Sequence, residues 1–258
     1  LFFLDNRMPL LCLPLAIIGF FDDIFNLNKG IRYFTQVLTS ILIVFETQIL
    51  DSYLINFNLI LFVLITFLMI LFITSLINFT NFMDGIDGLV CSCLIIVFSV
   101  GAIVLDSSLW VIVSSLLGFL IWNWNPSKIF MGDVGSTFLG ALLAAILLRE
   151  NSYNSLKILL VASPLLLDAF ICVIRRFSSN EPIFQAHCLH LYQRLYQAGW
   201  SHSKITSVYL IFTILLGLIV IYDFQKVFLP ILVLILFFGF YLDKNIAVPF
   251  KLALKKTK

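Results

Sequence analysis

The chain has 258 residues, 61% of them apolar and 12% charged, with a mean hydropathy of +1.08 and a formal net charge of +2. Soluble domains carry about a quarter charged residues and are about half apolar, so this composition excludes an ordinary soluble enzyme and puts the chain in a bilayer. The net charge says little as a sum, and no nucleic-acid partner is expected.

One membrane crossing needs roughly 20 apolar residues. In chain order, candidate spans fall at about 9–25, 34–50, 55–77, 88–105, 108–122, 135–148, 155–174, 206–223 and 226–242. The connections between them are too short for a separate soluble domain. The expected fold is therefore all-α, a polytopic transmembrane helical bundle of about nine spans, with 1–258 as a single membrane-embedded domain. The first residue is Leu, and Leu1 to Arg7 read like the interior of a longer sequence, so an N-terminal truncation is expected. The cysteines Cys12, Cys91, Cys93, Cys172 and Cys188 form no C-x-x-C pair and read as small core hydrophobes.

Nine spans put alternate loops on opposite faces. Of the 16 Lys and Arg residues, only Arg7, Arg149, Lys157 and Lys226 fall on one side. Cationic loops stay in the cytoplasm, so the other side is expected to be cytoplasmic. The unusual polar runs (Asp22-Asp23, Asn78 to Asp87, Asn123 to Ser136 and His187 to Arg194) all belong to that same side.

Asp22-Asp23 closes the first span. Adjacent carboxylates repel, and keeping both ionised calls for a cation nearby; a metal- or phosphate-handling site and a solvated helix end are both open readings. In Asn78-Phe79-Thr80-Asn81-Phe82-Met83-Asp84-Gly85-Ile86-Asp87-Gly88, residues Asn78, Asn81 and Asp84 share a helical face. Their carboxamides and carboxylate suit a hydrated metal or a polar ligand. Asp133, between Gly132 and Gly135 at the start of a span, reads either as a helix cap or as a metal ligand bridging to a phosphate. Phe130 beside this loop could stack on a base. Arg175-Arg176 precede the longest cytoplasmic loop, which holds His187, His190 and Arg194. Zinc finds no cysteine or carboxylate there at customary spacing, so contact with an anion, substrate or lipid headgroup, is the expected use. Asp168, inside a span, receives no chemical role, and seven residues of helix make a pairing with Arg175 doubtful.

Taken together, GFFDD at 19–23, NFTNFMDGIDGL at 78–89, NWNPSKIFMGDVGS at 123–136 and HCLHLYQR at 187–194 resemble the polyprenyl-phosphate N-acetylhexosamine-1-phosphate transferase family, glycosyltransferase family 4. That family includes undecaprenyl-phosphate GlcNAc-1-phosphate transferases and phospho-N-acetylmuramoyl-pentapeptide transferases. The resemblance implies transfer of a sugar 1-phosphate from a UDP-N-acetylhexosamine to undecaprenyl phosphate, with release of UMP and dependence on Mg²⁺, for which Mn²⁺ substitutes. It implies Asp133 as the metal ligand and Asp22, Asp23, Asp84 and Asp87 as catalytic residues, Asp22 being the acceptor-phosphate base. Asn78, Asn81, Asn123, Phe130, His187, His190 and Arg194 are the implied substrate contacts. HxxHLYQRL is similar to the O-antigen-initiating branch of cell-envelope polysaccharide synthesis. A bacterial inner (plasma) membrane location, a cytoplasmic active site and a homodimer are further expectations. Family members carry about two more spans before the Asp-Asp pair, which leaves an inactive truncated relative as one alternative. The other is a secondary transporter, although transporter sites lie at the bilayer midplane with repeat symmetry, and no internal repeat is visible.

Overall fold

The computed structural model describes residues 7–47, 59–150, 152–182 and 187–257. Among the described residues the regular structure is helical: α1 (Met8–Phe25), α2 (Lys29–Glu46), α3 (Leu59–Met83), α4 (Leu89–Val104), α5 (Trp110–Asn123), α6 (Gly132–Arg149), α7 (Ser152–Val161), α8 (Ser163–Ser178), α9 (Leu191–Gln197), α10 (His202–Ile221), α11 (Gln225–Asn245) and α12 (Phe250–Thr257). Local chemistry sets several of the ends. Pro9 and Pro164 open α1 and α8, where the missing N–H costs nothing. The Asn28 side chain caps α2 by accepting from Gly30 N–H at 2.9 Å. Ser201 caps α10 in the same way through Lys204 N–H.

The expectation of an all-helical membrane protein holds at that level. Four described helices, α1, α3, α6 and α10, are long and apolar enough to cross a membrane; a fifth span results if α7 and α8, bent by 79° at their junction, are one broken crossing. Part of the shortfall from nine has an identifiable reason. Helices α4 and α5 have only 16 and 14 residues, and α2 carries Lys29, Arg32 and Glu46. The end of the expected span 34–50 and the start of 55–77 lie outside the described residues.

Contacts divide the chain into two compact units interleaved in sequence: Leu1–Asp84 with Met131–Lys157, and Gly85–Phe130 with Ile158–Lys258. In the first unit α6 is the shared partner of α1 and α3. Small residues make this possible, as they do wherever helices meet in lipid without a hydrophobic force between them. Ala141, Ala144 and Ala145 are fully buried. A Cβ on Gly140 would come to 2.8 Å from the Ile77 Cα, and one on Gly19 to 2.6 Å from the Asp133 carbonyl carbon and the Val134 nitrogen. Each glycine thus lets α6 touch a neighbouring backbone. Unlike a soluble protein, the unit exposes a run of large apolar side chains and buries polar ones beside its apolar core: Thr35, Gln36, Thr39 and Ser40 of α2 are buried, while Leu59, Ile60, Val63, Leu64 and Phe67 of α3 are exposed.

In the second unit α4 is buried along most of its length and packs on α5 and α10. A Cβ on Gly217 of α10 would meet Val100 at 3.0 Å. Arg175 of α8 forms a two-pronged ion pair with Asp243 of α11, at 2.7 and 2.9 Å, and Arg194 of α9 joins the same carboxylate. Cys172, Leu189 and Ala253 form a small buried cluster under Val248, Phe250 and Leu254.

Candidate active site

The acidic site of the first unit grows from helix ends. Successive residues on a helix point about 100° apart, so Asp22 and Asp23 diverge at the end of α1. Asp22 is buried and accepts from Arg32 Nη1 at 2.8 Å. The turn between α1 and α2 sets this pair up, because Asn26 adopts a left-handed conformation and closes α1 with a bond to the Asp22 carbonyl. The other nitrogen of Arg32 pairs with Asp133, so one guanidinium bridges two carboxylates. Asp23 turns instead to the start of α6, accepting from the N–H groups of Asp133 at 3.1 Å and Val134 at 3.5 Å. The cap of α6 is therefore Asp23, not Asp133, and the free N–H groups and dipole of the helix favour a carboxylate there. Gly132 is required beside it: its φ is +63°, and a Cβ would overlap the Asp23 carboxylate.

Released from capping, the Asp133 side chain accepts from Asn81 Nδ2 at 2.8 Å; the same amide reaches Ser136 Oγ at 2.9 Å. Asp84 sits in the turn that ends α3, its N–H bonded to the Asn81 carbonyl. Burial pushes the Asp84 carboxyl well above the usual carboxylate range, and the negative charges of Asp133 and Asp23 push the same way, against one backbone hydrogen bond from Gly132. Like charges about 4 Å apart repel by roughly 4 kcal/mol at an effective dielectric of 20. Among the described residues, four carboxyl groups gather around a single bridging guanidinium, more acidic groups than that cation balances. Asn78 is engaged elsewhere, in a reciprocal amide pair with Gln36 at 2.8 and 3.4 Å.

Asp87 belongs to the second unit and is held from every side. It accepts from Asn125 Nδ2 at 2.7 Å, Ser127 Oγ at 2.8 Å and Ser127 N–H at 3.2 Å, and His202 Nδ1 lies 3.2 Å away. Partial burial raises its pKa, but the hydrogen bonds of Asn125, Ser127 and His202 outweigh it and hold the carboxyl below its ordinary value. Thr206 fixes the Asp87 carbonyl at 2.9 Å. Asn123 is buried and structural in its bonds, accepting from Gly88 N–H and donating to the Ile129 carbonyl. Phe130, in the loop that follows α5, is 74% exposed.

The loop 187–194 also lies in the second unit. His187 and His190 stack at 4.9 Å between ring centroids, and burial draws the His190 pKa down. Arg194 is almost fully buried, with its nitrogens on the Leu189 carbonyl (3.1 Å), the Val248 carbonyl (3.0 Å) and Asp243. A guanidinium so committed positions the loop. Asp168 has the role that sequence reasoning did not find. It accepts from the N–H groups of Leu191 (2.7 Å) and Tyr192 (3.1 Å) and from the Tyr209 hydroxyl (2.7 Å), capping α9 from another helix. Arg175 pairs with Asp243 instead. Sequence reasoning also passed over Arg32, Ser136, Asn125, Ser127 and Asp243. Only Arg32 left a signal, as a cation one short turn after an acidic pair.

Residues 8–151 match glycosyl transferase family 4, more than half of the chain, and the chain belongs to that family. It is 28% identical over 215 residues to a protein described as "Probable undecaprenyl-phosphate N-acetylglucosaminyl 1-phosphate transferase" of Bacillus subtilis (strain 168), covering 76% of this chain and 60% of the relative. It is 30% identical over 240 residues to the phospho-N-acetylmuramoyl-pentapeptide-transferase of Clostridium beijerinckii, covering 80% and 70%. With the decaprenyl-phosphate N-acetylglucosaminephosphotransferase of Mycobacterium leprae it shares 31% identity over 166 residues, 51% of this chain and 41% of the relative. The chain thus spans about 60% or less of the length of several curated relatives that it matches. Family membership and the apolar helices together make it a multi-pass membrane protein.

Proposed function

We propose that the protein transfers an N-acetylhexosamine 1-phosphate from a UDP-sugar to undecaprenyl phosphate, releasing UMP and initiating an O-antigen-like cell-envelope polysaccharide. The observation that carries this reading is the convergence of Asp22, Asp23, Asp84 and Asp133 on one another in the first unit, with Arg32 bridging two of them. Such a site suits a phosphate-bound cation. Its donors are oxygens, from carboxylates, Asn81 and Ser136, the ligand type of Mg²⁺, and the excess negative charge felt by Asp84 is what a divalent cation would relieve. Asp133 is the proposed ligand. Bound Mg²⁺ (or Mn²⁺) would supply charge neutralisation on the diphosphate.

The chain's own residues then have definite tasks. Asn81 and Ser136 fix the rotamer of Asp133. Arg32, whose side chain is 32% exposed, can exchange a carboxylate oxygen for a phosphate oxygen. A phosphate monoester has its second pKa near 6, so the acceptor is mostly dianionic at neutral pH; Asp22 orients it or takes its remaining proton. Asp23, Asp84 and Asp87 complete the proposed catalytic set. His187 and His190 are proposed to face the phosphates or the sugar, and Asn123 and Phe130 the uracil side. We further propose about nine crossings of the bacterial inner membrane and a cytoplasmic site, supported by the skewed distribution of Lys and Arg.

The test is an assay of the full-length gene product in membranes, with a panel of UDP-N-acetylhexosamines, undecaprenyl phosphate and Mg²⁺. UMP release together with a lipid-linked sugar diphosphate is expected for one member of the panel. Sugar uptake without UMP would point to a transporter, and neither outcome with folded protein would sink the transferase reading.

A further inference from the structure

The loop that carries His187 and His190 returns against α8, and there it meets Cys172, a residue of a different element. Cys172 and His190 are buried and His187 is half-buried. One ligand atom from each, the Cys172 sulfur and an imidazole nitrogen from each histidine, lies within 4.8 Å of the other two. From these three side chains we infer a metal site of the soft, zinc-preferring class that pins the 187–194 loop to α8.

The donor set decides the class of ion. One thiolate and two imidazoles are the ligands of Zn²⁺ and of softer transition metals, and they are poor ligands for Mg²⁺. Around a tetrahedral zinc, with bonds of about 2.0–2.3 Å, ligand atoms sit roughly 3.3–3.8 Å apart. A contraction of about 1 Å therefore closes the site, within the reach of side-chain torsions. His187 gives up little for this, because the hydrogen bond that its Nδ1 accepts from Leu189 N–H is long, at 3.3 Å. The surroundings are prebuilt. Leu189 and Ala253 pack against Cys172, the His190 N–H is held by Gln193 Oε1 at 3.1 Å, and Asp168 fixes the two N–H groups that follow. Sequence spacing hid the site because Cys172 lies fifteen residues before His187, on the far side of a turn. The neighbouring Cys188 is exposed and outside the cluster.

Three protein ligands leave a fourth position for water or a substrate oxygen, the arrangement of a catalytic rather than a purely structural zinc. That use of the open position rests on the transferase reading; the metal site does not.

The test uses the full chain purified in detergent. It is first loaded with Zn²⁺ and dialysed against a mild chelator for metal analysis, then loaded with Co²⁺ for absorption spectroscopy. Retention of on the order of one zinc per chain is expected, with an intense thiolate-to-cobalt band. Cys172→Ser should abolish the band, and His187→Gln, on the half-exposed loop, should lose the metal while the helical circular dichroism is unchanged. Cys188→Ser should keep both. Wild-type protein that retains no zinc, or a cobalt band that survives Cys172→Ser or disappears with Cys188→Ser, overturns the site. UMP release measured on the same samples reports on the transferase reading separately: a protein that binds zinc yet releases no UMP leaves the metal site standing and removes only the role of its open position.

Discussion

Asp84 and Asp87, three residues apart, show how surroundings give the same side chain opposite tasks. Asp84 is half-buried beside the carboxylates of Asp23 and Asp133, which destabilises its ionised form; such tension concentrates at working sites. Asp84→Asn removes the repulsion and should raise the melting temperature of the metal-free protein by a few degrees, at roughly 2–4 °C per kcal/mol, while abolishing UMP release. A drop in melting temperature would show that the site carries no excess charge. Asp87 is stabilised as an anion by Asn125, Ser127 and His202. Its folded-state pKa is depressed, so its contribution to stability is present above the unfolded value near 3.9 and is lost as pH falls through the lower folded value. Melting curves of Asp87→Asn should therefore lie below wild type at neutral pH and draw closer to it below about pH 4. A constant gap across that range would contradict the linkage.

At the scale of elements, the site depends on contacts that need an absent side chain. Gly19 precedes Asp22 by about one turn and lies against the first turn of α6. Gly19→Leu should force α1 from α6, at a cost of about 1–3 kcal/mol for overpacking, and should reduce UMP release more than an equally destabilising change remote from Asp22; equal losses would deny the contact its positioning role. The sequence made the helices legible, since apolar runs separated by polar loops leave little choice in a bilayer, and it made the acidic motifs legible as exceptions to that pattern. What it left hidden was pairing across elements. Asp168 looked like an isolated charge in a span because its partners, Leu191, Tyr192 and Tyr209, are a backbone terminus and a hydroxyl more than twenty residues on. Arg194 looked like a substrate contact because nothing in its own segment foretold Asp243 or Val248. Asp133 kept two readings until Asp23 emerged as the cap of α6.

For the whole molecule, the apolar exposed surface and the polar buried face of α2 belong to a chain solvated by lipid. We propose its orientation from the charge asymmetry. In a Cys188→Ser background, a cysteine at Lys204 should react with an impermeant reagent only after the membrane is opened, and one at Lys226 in intact cells; the reverse pattern would invert the proposed topology. Nine crossings together with that orientation would bring the site to the surface where a soluble nucleotide sugar and a lipid phosphate can meet.

Binding of Mn²⁺, followed by its paramagnetic resonance in the purified full chain, probes the acidic cluster most directly. Wild-type protein should quench the free-ion signal, with Mg²⁺ competing, and Asp133→Asn should restore most of that signal while the helical circular dichroism is unchanged. Equal Mn²⁺ binding by wild type and Asp133→Asn, or none by folded wild type, would contradict the account.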